Sequence, residues 1–558
     1  MDGKTKKKEE LKETLLENLN EMKSVRVLTE QVRWEACALV KHRTSAFNLT
    51  TSQIPAIPLH STAQVDAVET STAGIMGYLI SQNIRWFNFT TMGKDFQDSD
   101  DIQGAKDYLE QVISMLLSVF EKCNFYSATE LATKDAFVQG TSAEMIIDNT
   151  EDDSMFYDTI DPQEFYIAED EHRRVDTFYR VYEMTARAAY KKWGSKLPQE
   201  VIKLVKDKAG HRRVKFLHAI YPREDALGKK GKAIISTEKK FASVHYSYTG
   251  DAVFKESGFD EFPVAVHRWM LNGTSPYGSS PVIKYIEEIK KLDKMELLYA
   301  TGADKGVNPP VFAPEVLKGK LNLNPGAKNY LNIAQTGRPE LFPSSLDLNH
   351  MAAQIQYLRN VISKVLYANL FDILMRQDKE RTATEVREIK GEGLVLLSSI
   401  IGNMQEEKIA PLVMRSYHIL KAAGKIPPPP EELLKASEEG RVKISLDGPL
   451  AQNMKTYHQT TGITQGMEAI EKVMLMFPDS QVQIEGDELM RQAASANGMP
   501  QTIIREKAQV KKIKEEQKAI LEQQRANEQK LADAEYASKM QGAQGSTPQQ
   551  IAQGQVGR

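Results

Sequence analysis

Two stretches of matching helical length bracket a proline-rich insert. The first, SSPVIKYIEEIKKLDKMELLYATGADKG, places Val282, Ile286, Ile289, Leu292 and Tyr299 on one face. Ser280 is a good N-cap and Pro281 suits the first turn. The second, residues 347–372, repeats the pattern with Met351, Ile355, Leu358, Ile362, Val365, Leu366 and Leu370. At about 1.5 Å per residue, 280–303 makes a rod of about 36 Å and 347–372 one of about 39 Å. The insert between them, 306–346, holds six prolines and three strand-like pieces, PVFAP, NYLNIA and ELFP. Two equal rods joined by a compact insert predict an antiparallel hairpin with a small knob at its tip.

Directly after the hairpin comes RQDKERTATEVRE (376–388), in which eight of thirteen residues are charged. Such a run is ordinarily a solvated face. Here Thr382 and Glu385 fit a capping box, and a helical pattern then runs to Gly424, ahead of four prolines at 427–430. Forty residues of helix would span about 60 Å, with Gly391, Gly393, Gly402 and Pro411 placed to bend or break it. RVKISLDGP predicts a strand and turn, and helices follow at 450–477 and 486–496. Residues 500–541 are rich in Glu, Lys and Gln, with a weak heptad through Ile513, Ile520 and Asn527. Residues 542–558 have a disordered composition.

Upstream, Leu11, Leu15, Leu16 and Leu19 mark a helix over 5–45. Pro55 and Pro58 mark a loop over 46–64, and a helix at 65–82 leads into the alternating strand IRWFNFTTM. Two helices are predicted over 100–150, the first carrying Tyr108, Val112, Met115, Leu116 and Phe120. From 155 to 270 short alternating runs predict an antiparallel sheet interrupted by a helix at 185–208. The fold class is α+β, predominantly α, and 558 residues imply about three or four domains.

A net charge of −3 and a pI near 6.4 do not fit a dedicated sequence-specific DNA binder. Cys37 and Cys123 make neither a disulfide framework nor a zinc site. No run of 18 apolar residues predicts a membrane span, and the charged N-terminus lacks a secretory core. No nucleotide, zinc-protease or serine-hydrolase motif is present. Gly228–Lys232 has the wrong spacing for a phosphate loop and no Ser or Thr after its lysine. His172, His218, His267, His350 and His418 lack partners at ligand spacing. Asp98, Asp100, Asp101, Asp152 and Asp153 sit in polar turns. No catalytic residue, cofactor or metal is therefore expected.

The order of parts resembles the bacteriophage portal proteins, the head-to-tail connectors of short-tailed phages. Five segments carry the resemblance: Asp66 to Phe89, ending IRWFNF; IDPQEFYIAEDEHRRVDTFYRVYEMTARAAYKKWG; YGSSPVIKYIEEIKKLDKM; RTATEV at 381–386; and ISLDGPLAQNMK. Together they extend over about residues 30 to 500. The resemblance implies the portal fold of wing, stem, clip and crown, assembled as a ring, usually of twelve copies, at one capsid vertex. Residues 1–279 would be N-terminal helices and the α+β wing, 280–305 and 347–372 the two stem helices, and 306–346 the clip. Residues 373–381 would be a tunnel loop, 382–449 the long wing helix and its strand, 450–541 the crown and a helical barrel.

The resemblance further implies passage of double-stranded DNA, read without sequence specificity. Arg376, Lys379 and Arg381 would lie nearest the DNA, and Lys284, Lys291, Arg359 and Lys364 are candidates for the channel-lining stem. Partners would be further copies of the chain, the terminase large subunit, a tail adaptor, and the major capsid and scaffolding proteins, with no membrane. The protein would reside in the virion, and in the host cytoplasm during assembly. The charge pattern suits a conduit. Duplex DNA carries a charge about every 1.7 Å, and a wall crowded with Lys and Arg would grip it. Residues 280–303 balance four lysines against four acids, and 376–381 holds three basic residues against two acidic ones. The alternatives are another virion protein lacking a channel and, from a different class, a nuclease using the aspartates at 98–101 and 152–153.

Overall fold

The computed structural model describes residues 3–40, 59–91, 102–149, 154–223, 238–273, 275–324, 326–341, 347–375, 397–428, 430 and 442–446. Single helical positions between 510 and 534 are described as well. The chain divides into two compact units, Met1–Met454 and Lys455–Arg558; every element below belongs to the first. Arg376, Lys379 and Arg381, the capping box at 382–385 and the helices expected over 450–496 lie outside the described residues.

Helix α1 (Gly3–Val40) buries Leu15, Leu19, Ala36, Cys37 and Val40. Its inner face also carries two buried arginines. Arg26 Nη1 donates to the Phe165 carbonyl at 2.6 Å and lies 4.9 Å from the Tyr166 ring centroid. Arg33 donates to the Gly278 carbonyl at 3.1 Å and lies 4.7 Å from the Tyr277 ring. Hydrogen bonds and aromatic faces offset the cost of taking these cations from water. Helix α2 (Ala63–Leu79) follows, then β1 (Phe87–Thr91). The strand expected from IRWFNFTTM is present, and it pairs antiparallel with the distant Val442–Leu446, strand β14.

Helices α3 (Ile102–Lys122) and α4 (Phe125–Gln139) fill the first part of the 100–150 region. The sequence predicted only helix there, and the structure adds strand β2 (Thr141–Asn149). Gly140 makes the turn with φ +81°. A Cβ on it would stand 2.3 Å from the Gly278 carbonyl oxygen. Gly140→Ala is therefore expected to cost about 2–3 kcal/mol, combining left-handed strain with a backbone clash; urea unfolding would measure it. An unchanged midpoint would contradict the crossing.

β2 is the centre of an antiparallel three-stranded sheet, flanked by β3 (Ser154–Ile160) and β9 (Val264–Arg268). A five-stranded antiparallel sheet runs in chain order: β4 (Phe165–Glu169), β5 (Val175–Thr185), β6 (Arg213–Pro222), β7 (Phe241–Ser247) and β8 (Ala252–Phe259). The helix expected over 185–208 is two, α5 (Ala186–Trp193) and α6 (Gln199–Lys206). They are separated by a 3-10 turn and Pro198.

His218 and His245 face each other across β6 and β7, with ring centroids 4.0 Å apart and planes at 12°. His218 Nε2 is 2.9 Å from Ser243 Oγ. Burial pulls both imidazoles below their usual range, His245 to about 3, and Lys255 and Lys192 add to the effect. The unfolded chain, with histidine near about 6.5, then binds more protons than the folded one. The pair's contribution to stability is complete above pH 6.5 and is lost as pH falls toward 3. His245→Leu should flatten the rise of the urea midpoint between pH 4 and 6.5. An unaltered slope would show that the pair does not titrate in this way.

After the β10–β11 hairpin (Met270–Asn272, Ser275–Ser279) comes the helical hairpin. Its first arm is the short turn α7 (Pro281–Lys284) and helix α8 (Ile286–Val307). Its second arm is α10 (Leu348–Val365) and α11 (Ala368–Met375). The rod predicted as continuous over 347–372 is divided at Tyr367, whose φ is +64°. In the insert, β12 (Val311–Phe312) pairs with β13 (Glu340–Leu341). NYLNIA forms no strand; its end enters the helical turn α9 (Ile333–Thr336). Helix α12 occupies residues 397–422, with one π turn at Gln405–Ile409.

Candidate functional site

The hairpin is capped at both starts. Ile283 N donates to Ser280 Oγ at 3.0 Å, as the sequence predicted, and Asn349 N and His350 N donate to Asp347 Oδ1 at 3.0 and 3.1 Å. Ile286, Ile289 and Leu292 of α8 and Ile355, Leu358 and Ile362 of α10 are buried in the main core. Tyr299, expected on the same apolar face, is 37 % exposed, because it lies beyond the part of α8 that the core covers. Arg359 Nε donates to Glu296 Oε1 at 3.0 Å. Glu296 precedes the end of α8 by as many residues as Arg359 follows the start of α10, the register of an antiparallel hairpin.

The charges on the hairpin differ in how they are used. Glu296 also accepts from Ser61 Oγ at 2.9 Å, and Asp293 accepts from His60 N and Ser61 N at 2.6 and 3.0 Å, fastening the lead-in to α2. Lys290 pairs with Glu35 at 2.6 Å. Of the candidate channel-lining residues, Arg359 is therefore held in an ion pair across the hairpin. Lys284 is exposed, with Nζ 5.7 Å from the Tyr285 ring. Lys291 and Lys364 are exposed and have no ion-pair partner among the described residues. Lys284 lies on α7, Lys291 on α8, and Arg359 and Lys364 on α10.

Among its described residues the insert shows no core of its own. Leu317 is buried, whereas Phe312, Val316, Leu323, Tyr330, Ile333 and Leu341 are each at least 58 % exposed. Leu297, Leu298 and Tyr357 on the hairpin are also exposed.

What sequence reasoning missed is the fastening of α12. Pro411 has no N–H to give the carbonyl one turn before it, and the π turn takes up the mismatch. It brings adjacent acidic and basic side chains to two buried partners. Lys408 Nζ donates to the Thr129 carbonyl and to Thr133 Oγ1, each at 2.8 Å, and lies 3.9 Å from Glu144 Oε2. Burial pulls both groups toward neutrality, Lys408 down to about 8 and Glu144 upward, and their mutual attraction opposes it. Glu407 accepts from Arg268 Nε and from the Arg268 backbone N–H, each at 2.9 Å; Arg268 also pairs with Glu169 and donates to the Arg173 carbonyl at 2.9 Å. Gln405 Nε2 donates to the Ile444 carbonyl of β14 at 2.8 Å, and Tyr157 and Ser416 hydroxyls meet at 2.7 Å. The available signal was a charged pair interrupting an apolar helical stripe just ahead of a proline.

Among the described residues no group of three His, Cys, Asp or Glu side chains is placed to hold a metal ion. None of their helices is long and apolar enough to cross a membrane.

The family model described as bacteriophage head to tail connecting protein matches residues 12–504. The chain is 26% identical over 552 residues to the portal protein of Salmonella phage epsilon15, covering 96% of each chain. It is 28% identical over 374 residues to the probable portal protein of Bordetella phage BPP-1, covering 66% of each.

Proposed function

The chain belongs to the family of bacteriophage head to tail connecting proteins, and from that premise we propose that it is a viral portal. Copies close into a ring at one capsid vertex, and double-stranded DNA passes through the bore during packaging and ejection. The family match is the observation that carries this function, and it does not favour a virion protein without a channel. The exposed apolar insert supports the ring. A segment with so little buried surface cannot offset its ordering cost alone, and neighbouring copies in a closed ring would cover it.

In this function 280–305 and 347–372 are the stem and 306–346 the clip, which meets the terminase large subunit and later the tail adaptor. Major capsid and scaffolding proteins surround the ring, whose copy number is twelve. The tunnel loop expected over 373–381 starts beyond α11, whose last residue is Met375, with Arg376, Lys379 and Arg381 nearest the DNA, and 382–449 contain the wing helix. Residues 450–541 form the crown and a barrel. Lys291 and Lys364 offer weak phosphate attraction along the stem, while Arg359, held by Glu296, contributes less. The protein acts as a structural conduit without catalysis. It resides in the virion, after assembly in the host cytoplasm.

Lys379→Glu with Arg381→Glu should reduce packaged DNA several-fold while rings form in normal yield. Normal packaging by this variant would overturn the loop assignment. Deleting 542–558 should leave ring yield unchanged in size-exclusion chromatography; failure to assemble would give that tail a structural role.

A further inference from the structure

The second arm of the hairpin bends at one residue, and a neighbouring helix is built around the bend. Tyr367 sits in the left-handed region at φ +64°, which a tyrosine avoids. The break leaves the Leu366 carbonyl without its helical partner, and Ser71 Oγ of α2 donates to it at 2.5 Å. Ser71 and Leu366 are both fully buried. One turn along α2, Gly74 faces Phe371 of α11, and a Cβ there would stand 2.3 Å from the ring. Another turn along, Tyr78 stacks on Phe371 at 6.3 Å and 28°. Positions 71, 74 and 78 share one helical face: a hydroxyl caps the break, a missing side chain admits the ring, and an aromatic closes over it.

α2 is in turn fixed to α4. Thr133 Oγ1 meets Met76 Sδ at 3.6 Å, and Lys134 pairs with Glu69. The same α4 supplies the two oxygens that receive Lys408 of α12. One helix pair thus carries both the end of the bent arm and the long helix.

We propose that Ser71, Gly74 and Tyr78 are positioning residues that fix the bend at Leu366–Tyr367 and so set the course of α11 to its end at Met375. This rests on the tunnel-loop assignment within the channel function proposed above, so the test carries the variant Lys379→Glu/Arg381→Glu beside the new ones. Gly74→Ala and Ser71→Ala are introduced separately into the full chain. Ring yield, ring melting midpoint and DNA retained per particle are then measured. The expected result is a several-fold loss of retained DNA for both α2 variants, at unchanged ring yield and within a few degrees of the parent midpoint.

Normal retention by both α2 variants, with loss in the loop variant, overturns the positioning role and leaves the channel function standing. Normal retention by the loop variant removes the premise and the inference with it. Should Gly74→Ala fail to form rings, Ser71→Ala decides. If neither forms rings, the residues serve folding alone and the inference is overturned.

Discussion

Lys408→Ala is expected to destabilise the first unit by about 3–5 kcal/mol, the range for breaking a buried ion pair from one side. The substitution leaves the Glu144 side chain, 1 % exposed, with Thr129 as its hydrogen-bond partner. It also removes one of the donors to the Thr129 carbonyl, which keeps Thr133 Oγ1 at 2.7 Å, and the ammonium that donates to Thr133 Oγ1. The cost therefore lies mainly in the carboxylate left behind. Lys408→Met combined with Glu144→Gln should recover more than half of the loss, because a neutral amide in that place carries no charge to desolvate. Urea unfolding of Lys408→Met, Glu144→Gln and the double closes the cycle, with a coupling of about 1–3 kcal/mol expected. Additive losses would show that the two groups do not interact across the core.

Arg268→Ala should cost about 3 kcal/mol, nearly as much, through different groups. The guanidinium is 4 % exposed and joins Glu407 of the π turn to Glu169 of the five-stranded sheet. Glu407 and Glu169 are 19 % and 21 % exposed, so water meets part of the loss. Glu407 also keeps its bond from the backbone N–H of residue 268. Arg268→Lys should restore less than half, since an ammonium cannot hold Glu407, Glu169 and the Arg173 carbonyl with the geometry of a planar fork. Full rescue by lysine would mean that charge alone, without fork geometry, accounts for the contact.

These two contacts show where a single sequence is informative and where it is not. The arms of the hairpin were legible because a local period of 3.6 determines both and the local cap at Ser280 starts the first, whereas the cap at Asp347 emerged only in the structure. The antiparallel sheet followed from alternation over adjacent runs, most of them joined in chain order. The pairing of β1 with β14 was not legible, because nothing in either strand names a partner hundreds of residues away. β2 was hidden because TSAEMIIDN is too short to separate from the end of a helix by periodicity, and the deciding turn rests on the backbone contact between Gly140 and Gly278.

The bend at Tyr367 had no signal, since tyrosine is not a residue that marks φ above zero. Nothing in the sequence set the buried arginines of α1 apart, and only the tertiary partners Phe165 and Gly278 make them interior. For the site, the family resemblance offered Lys284, Lys291, Arg359 and Lys364 as channel-lining candidates. It did not reveal that Glu296 holds Arg359, because that pair crosses the hairpin.

Cryo-electron microscopy of the purified full-length protein tests the central claim most directly. The proposed function requires closed rings of like copies, with a central hole that admits a double helix and the exposed insert covered by its neighbours. A product that stays monomeric at every concentration and ionic strength, or that packs into particles without a bore, would contradict it.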